Sequence, residues 1–306
     1  MATKSAAKKS ATSAKKAPTK STTTKVSTIS TTTKPSTNST KTTKIDNKVI
    51  NIVLAEVFGT FILTVVALSA IQTQDLVGLF VGLTLAVVVM AIGTISGSHI
   101  NPAVTFGLWA TRKLKTVMVP FYWGAQFIGA AAALVVMNLV SQTQHGISFA
   151  HIGQFDGTLF GIELVGTAVF LFGLVSVLNR KELTDGAKAL GIGLSLLVGV
   201  AVASSVNAQA RSTAIANYQK AASSVTEDNK EEPTIPAVLF SKGATLNPAI
   251  SFVQTEMTES ELKGTSDGGE TEQHISRFAL DSILGTLIGA ALGANLALLV
   301  NYRFRG

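Results

Sequence analysis

Six long apolar runs dominate this sequence and constrain its fold more than any other feature. A bilayer core requires about 20 consecutive, mostly apolar residues from each spanning helix. Charged residues make up only 14% of the chain, whereas soluble domains carry about 25%. The sequence therefore predicts an all-α membrane protein with six transmembrane helices. The predicted spans are approximately residues 49–71, 76–95, 117–140, 159–178, 188–206 and 277–300.

The segment 1–48 differs in composition from the rest of the chain. It consists mainly of Lys, Ser, Thr and Ala and contains no aromatic residue. Such a segment cannot bury enough apolar surface to offset the entropy of ordering, so we expect it to be disordered. Its lysines would attract anionic lipid at the membrane surface. A purely orienting role and no specific role stay open, and nucleic-acid binding has only the charge in its favour.

Basic residues predict how the six helices are oriented. Lys and Arg occur in the N-terminal segment, within 112–115, within 180–188 and at the C-terminal end, and six spans place all four on one side. The connection 207–275 is rich in Asp and Glu and lies on the other side. Because basic residues concentrate in cytoplasmic loops, both termini are predicted to be cytoplasmic. We expect the chain to lie in the plasma membrane.

An internal repeat divides the membrane region into two halves, residues 49–158 and 159–306. Each half contains three spans and one loop with the same short motif, and because three is odd, the halves have opposite orientations in the membrane. Inverted repeats of this kind place a site at the bilayer midplane, where the halves meet. The matching segments are 55–61 with 162–168 and 98–106 with 244–252.

The repeated loop motif is Asn-Pro-Ala. Asn is a preferred N-cap and Pro suits the first helical position, so each motif starts a helix. The segments Pro102–Trp109 and Pro248–Glu256 are too short to span, which predicts two half-helices whose positive N-terminal ends meet at the centre. Each Asn oxygen would cap its helix, leaving the NH2 group in the lumen to bind neutral solutes while the positive potential opposes cations and protons. The motif residues are Asn101, Pro102 and Ala103 in the first half and Asn247, Pro248 and Ala249 in the second.

These loops, the two Glu-x-x-Gly-Thr sequences and the segments 96–99 and 125–130 resemble the aquaporin and glycerol-facilitator family, the major intrinsic proteins. The resemblance covers roughly residues 49–206 and 241–302. It implies a homotetramer with one pore in each subunit. It also implies that Glu56 and Glu163 hold the irregular loops through backbone hydrogen bonds. The pore-loop backbone implied by the resemblance is Gly97, Ser98, His99, Gly243 and Thr245.

The sequence departs from the family at the extracellular constriction. Family members normally carry Arg three positions after the second Asn, and here that position is Ile250. Local motifs align the other three constriction positions with Val81, Val200 and Ala244. Four aliphatic residues offer no donor to a solute and no charge against cations. The constriction is therefore either wide enough for larger neutral solutes or a hydrophobic gate, and proton exclusion would rest on the half-helix dipoles alone.

The second half is also longer than the first between its Glu and its Asn-Pro-Ala loop. The extra residues lie chiefly in an extracellular insert at about 207–240, rich in Ala, Ser, Lys and Glu. The composition leaves two alternatives open, a disordered insert or a cap over the pore mouth.

Taken together, these features predict passive, bidirectional diffusion of water, small uncharged solutes such as glycerol-like polyols and urea, or both. A gated or closed relative with a structural or adhesion role is one alternative, and a coupled secondary transporter is another, because inverted repeats also occur in that class. Such a transporter would need an ionisable or ion-coordinating site at the midplane, and only Glu56 and Glu163 are present there. The chain contains no cysteine, and its sequence shows no nucleophile–base set, phosphate loop or metal-ligand spacing. We therefore expect no enzyme activity, no catalytic residue, no metal and no cofactor.

Overall fold

The structure is a computed structural model that describes residues 47–71, 76–224, 233–264 and 274–303. Almost all of the predicted disordered segment 1–48 lies outside the described residues. Six described helices are long and apolar enough to cross a membrane, and they match the six predicted spans. The predicted all-α membrane fold is therefore confirmed. The spanning helices are α1 (Asn47–Ala70), α2 (Val77–Ser96), α4 (Val119–Ser141), α5 (Gly157–Leu178), α6 (Asp185–Ser223) and α10 (Leu280–Arg303), and the short helices are α3 (Pro102–Ala110), α7 (Ala237–Phe240), α8 (Pro248–Ser251) and α9 (Glu259–Lys263).

Glycine residues allow the spanning helices to approach closely. A Cβ atom on Gly82 of α2 would lie 2.8 Å from the carbonyl oxygen of Gly193 in α6. In the same way, a Cβ on Gly285 of α10 would lie 2.8 Å from the carbonyl oxygen of Phe160 in α5. Small residues at helix contacts are the usual means of packing in lipid, where no hydrophobic effect drives helices together. These contacts fix the walls between which the irregular loops are held.

The first half-helix agrees with its prediction and the second is shorter than predicted. Helix α3 covers Pro102–Ala110, whereas α8 ends at Ser251 instead of continuing to Glu256. The reason lies in the next residues, which pair with a segment just before α10. Thr255 forms an antiparallel bridge with Ser276, and the N–H of Arg277 donates to the carbonyl of Gln254 at 2.8 Å. Backbone groups that a longer helix would have used are satisfied by this pairing.

A buried charged cluster fixes the same segment. The Arg277 side chain is almost fully buried and lies 2.7 Å from the Asp281 carboxylate and 3.9 Å from the Glu256 carboxylate. His151 Nδ1 lies 2.9 Å from the other oxygen of Glu256. Burial raises the pKa of the Glu256 carboxyl, against the opposing effect of Arg277. Nothing in the sequence pattern predicted that these residues would meet.

Helix α6 continues far beyond the predicted fifth span. Its 39 residues correspond to about 58 Å at 1.5 Å per residue, nearly twice the roughly 30 Å of a bilayer core. The chain has no Gly or Pro between Gly199 and Ser223 and is rich in Ala there, so nothing interrupts the helix. For 207–223 the disordered alternative is wrong. The rest of the insert comprises residues 225–232, outside the described residues, and an extended stretch that leads into α7.

Candidate functional site

Both Asn-Pro-Ala motifs start a helix in the predicted way. Asn101 and Asn247 have extended backbones, and each is followed by Pro at the start of its helix. The side-chain oxygen of Asn101 accepts a hydrogen bond from the N–H of Ala103 at 2.7 Å, and that of Asn247 accepts from Ala249 at 3.0 Å. The asparagine oxygens are thus used as caps, which leaves their NH2 groups for other contacts.

The NH2 groups join the two loops to each other, which corrects the prediction that they simply face the lumen. Asn101 Nδ2 donates to the carbonyl of Leu246 at 2.8 Å, and Asn247 Nδ2 donates to the carbonyl of Ile100 at 3.2 Å. Each NH2 carries two hydrogens, so this bond uses one of them. Both asparagines nevertheless line the same cavity. The two halves therefore meet through a reciprocal pair of hydrogen bonds at the site.

The acceptor residues of this pair have an unusual backbone. Ile100 has a φ of 40° and Leu246 a φ of 49°, and both side chains are fully buried. The left-handed region is unfavourable for residues with a Cβ, most of all for a β-branched one such as Ile. It persists only where the surroundings hold it. Two buried carboxylates supply that support.

Glu56 of α1 holds the first loop. Its carboxylate accepts from the N–H groups of His99 at 2.9 Å and Ile100 at 2.7 Å, from the Ser96 hydroxyl at 2.6 Å and from the Gln126 amide at 2.9 Å. Non-helical backbone at membrane depth requires such partners inside the protein. The carboxylate therefore has four donors around it, and they position the loop.

Glu163 of α5 holds the second loop in the equivalent way. Its carboxylate accepts from the N–H groups of Thr245 and Leu246, each at 2.9 Å, and from the Thr245 hydroxyl at 3.1 Å. The side chain is 1% exposed, so water does not replace these bonds.

His99 of the first loop is held in place as well, because its ring stacks on Tyr122 and its Nδ1 lies 3.1 Å from the Thr105 hydroxyl.

A cavity of about 500 Å³ extends from the two asparagines toward the end of the bundle where α1 finishes and α2 begins. The four predicted constriction residues, Val81, Val200, Ala244 and Ile250, all line it. Of the predicted pore-loop residues, His99, Gly243 and Thr245 line it as well, whereas Gly97 and Ser98 do not. Gly97 instead ends α2, with a φ of 86° that glycine adopts readily. The structure thus brings the asparagines, the aliphatic residues and part of the loop backbone to one cavity.

Sequence reasoning missed the part of the cavity wall that α6 contributes. Beyond Val200, this wall continues along one face of the helix through four polar or charged side chains and two apolar ones. Their spacing by three or four residues continues the helical period of Val200, and this period was the signal that could have identified them. The additional α6 residues are Ser204, Asn207, Ala208, Arg211, Ser212 and Ile215.

The family model described as Major intrinsic protein matches residues 39–217. The chain belongs to this family. Aquaporin Z from Photorhabdus laumondii subsp. laumondii is 33% identical over 193 residues, which cover 54% of this chain and 83% of that protein. Aquaporin-1 from Homo sapiens is 32% identical over 136 residues, covering 43% of this chain and about half, 51%, of that protein. As a major intrinsic protein, the chain is a membrane channel for water and small solutes and not an enzyme.

The comparison with solved structures also gave a match. The aquaglyceroporin from Plasmodium falciparum has a TM-score of 0.48 and 17% sequence identity, and the match covers 82% of this chain and 94% of that one. Within the described residues, no group of three or more His, Cys, Asp and Glu side chains could hold a metal ion.

Proposed function

We propose that this channel conducts water and small uncharged solutes, such as glycerol-like polyols and urea, passively and in both directions. The observation that carries the proposal is the cavity that ends at Asn101 and Asn247. Donors from both halves meet there, and both half-helices start there, so the positive ends of two helices face the same point. That arrangement suits a neutral molecule with an oxygen acceptor and disfavours a cation or proton.

The walls of the cavity support a permissive pore over a closed one. Val81, Val200 and Ile250 present only aliphatic surface, and no bulky aromatic or guanidinium group occupies the position of Ile250. The cavity nevertheless reaches the asparagines, which favours an open passage on this side. The constriction role of these residues, together with Ala244, forms part of the proposal, as does a path for solutes along the pore-loop backbone.

We also propose the arrangement of the channel in the membrane. The chain lies in the plasma membrane with both termini on the cytoplasmic side. Residues 49–158 and 159–306 form the two inverted halves. A contact supports the placement of two basic loops on one side of the membrane, because Lys113 Nζ donates at 2.9 Å to Oδ1 of Asn179, the residue just before the segment 180–188. The subunits assemble as homotetramers, in accord with the family, and the segment 1–48 lies against anionic lipid.

The test is stopped-flow light scattering on proteoliposomes with water, glycerol and urea gradients. Asn101→Asp and Asn247→Asp remove the NH2 donor and place an acceptor opposite the carbonyl that it had bonded. An unpaired buried polar group costs about 1–3 kcal/mol, and about 1.4 kcal/mol of barrier is a tenfold change in rate. We therefore expect flux to fall about tenfold. Asn179→Asp, at the far end of α5, is the matched control and should conduct as the wild type does.

The outcomes separate the proposed function from its alternatives. Unchanged flux in both asparagine variants would contradict the pore. Absence of all flux in the wild type would favour a hydrophobic gate with a structural role, and flux that requires an ion gradient would favour a coupled transporter. Ile250→Arg narrows the cavity and adds donors, so it should reduce glycerol and urea flux more than water flux.

A further inference from the structure

Arg211 brings a cation into the wall of the cavity. It lies on the same face of α6 as Val200, about three helical turns further along, and it lines the cavity together with Ser204 and Asn207. The α6 extension lies in the segment for which the sequence left a disordered insert or a cap over the pore mouth as alternatives, and it is the element that carries this guanidinium to the cavity.

One end of the guanidinium is anchored to backbone. Its Nη1 donates to the carbonyls of Val238 at 3.0 Å, Leu239 at 2.9 Å and Ser241 at 3.0 Å. These carbonyls lie immediately before Ala244, so the anchored segment runs into the aliphatic residues of the cavity. The structure gives no hydrogen-bond partner in the described part of the chain to Nε or Nη2 of Arg211. Those N–H groups are available to a solute.

The charge at the mouth is positive. No carboxylate of the described residues lies within ion-pair distance of Arg211, and none of the residues that line the cavity is Asp or Glu. Lys242 also lines the cavity, but its Nζ lies 4.0 Å from the Glu261 carboxylate, which offsets part of its charge. The side-chain oxygen of Asn207, one turn before Arg211, is buried without a partner among the described residues.

We propose that Arg211 is the specificity-determining cation of this pore. The proposal rests on the channel function proposed above. Where Ile250 offers neither donor nor charge, Arg211 supplies N–H donors to the oxygen of an entering neutral solute and repels entering cations. Its action is at the mouth of the cavity, about three turns of α6 away from the aliphatic constriction.

A pair of probes with the same shape and different charge tests this proposal. Urea is neutral and guanidinium is a cation of nearly the same size, so their relative permeability reports charge selection and not pore width. In proteoliposomes, the wild type should conduct urea and exclude guanidinium. Arg211→Gln keeps a donor and removes the charge, and we expect the urea-to-guanidinium permeability ratio to fall about tenfold. Arg211→Lys keeps the charge and should keep the ratio.

Two further variants separate charge selection from support of the 238–241 segment. Asn207→Asp places a carboxylate one helical turn before Arg211 and leaves the three carbonyl bonds in place, so the permeability ratio should fall although the support remains. Ile250→Arg, added to Arg211→Gln, returns a cation to the cavity and should restore exclusion of guanidinium. Arg180→Gln is the control, because Arg180 is exposed and paired with Glu182 away from the cavity.

The failures of the two proposals are distinguishable. A wild type without water or urea flux would refute the channel function and this inference with it. Normal water flux combined with undiminished exclusion of guanidinium in both Arg211→Gln and Asn207→Asp would overturn the inference alone. Equal losses of selectivity in Arg211→Lys and Arg211→Gln would also overturn it, since they would show that the carbonyl bonds matter and the charge does not.

Discussion

Glu163→Gln tests whether the buried carboxylates are the supports of the pore loops. In the wild type, one carboxylate oxygen of Glu163 accepts from both the N–H and the hydroxyl of Thr245, and the other accepts from the N–H of Leu246. The glutamine amide keeps a single acceptor oxygen. If that oxygen stays on Thr245, the NH2 group faces the N–H of Leu246, and a buried donor loses its acceptor.

The size of the effect follows from the number of donors that lose a partner. Leaving one buried polar group unsatisfied costs about 1–3 kcal/mol, so we expect Glu163→Gln to destabilise the loop by that amount. Glu163→Ala removes the acceptor for two backbone N–H groups and one hydroxyl. We expect it to destabilise the loop by roughly twice as much as Glu163→Gln. Leu246 adds to the effect because its left-handed backbone depends on surrounding contacts.

Hydrogen exchange in detergent measures the local stability of the loop directly. Thermal unfolding measures the stability of the whole protein, and water flux in proteoliposomes measures the effect on conduction. The amides of Thr245 and Leu246 should exchange faster in Glu163→Gln than in the wild type, because local opening becomes easier, and water flux should fall with them. Glu182→Gln is the control, since its carboxylate is 59% exposed in an ion pair with Arg180 that contributes about 1 kcal/mol or less. Unchanged protection at both amides would refute the idea that Glu163 supports the loop.

Two further predictions concern packing and the charged cluster. Gly82→Ala places a Cβ 2.8 Å from the Gly193 carbonyl oxygen and should lower the free energy of unfolding by about 1–3 kcal/mol. Gly161→Ala is the control, because its Cβ would meet no atom within 4 Å and should not destabilise α5. Equal shifts in the unfolding temperature of the two variants would contradict this prediction. Arg277→Met leaves the Asp281 carboxylate buried without its cation and should lower the free energy of unfolding by about 3–5 kcal/mol. Adding Asp281→Asn should recover part of that lost stability. Strictly additive effects in a double-mutant cycle would show that the two side chains are not coupled.

The spans and the start of each half-helix could be predicted because local features determine them. Runs of about 20 apolar residues have few alternatives in a membrane, and an Asn-Pro pair both caps a helix and suits its first turn. The scaffold role of Glu56 and Glu163 came from the family resemblance, and their hydrogen bonds in the structure agree with it.

Features that depend on distant segments could not be predicted in the same way. Helix α8 ends early because Thr255 pairs with Ser276, and nothing near Pro248 in the sequence encodes that partner. The NH2 groups of the asparagines bond to the opposite loop, which requires knowing that the two loops meet with their carbonyls turned inward. Arg211 lies in a segment whose composition left a disordered insert and a cap over the pore mouth as the alternatives, and only its helical register relative to Val200 brings it to the cavity.

The separation between Arg211 and Ile250 has a consequence for selectivity. A guanidinium at position 250 would both narrow the cavity and charge it, so solute size and solute charge could not be selected independently. In this chain the aliphatic side chains of Val81, Val200 and Ile250 define the width, while the cation lies further out on α6. A substitution that enlarges the aliphatic region, such as Ile250→Ala, should therefore admit larger neutral solutes without admitting guanidinium. Because the guanidinium is carried by α6 and bonded to carbonyls of the segment 238–241, and not to Ile250, this substitution leaves the groups that position the charge in place.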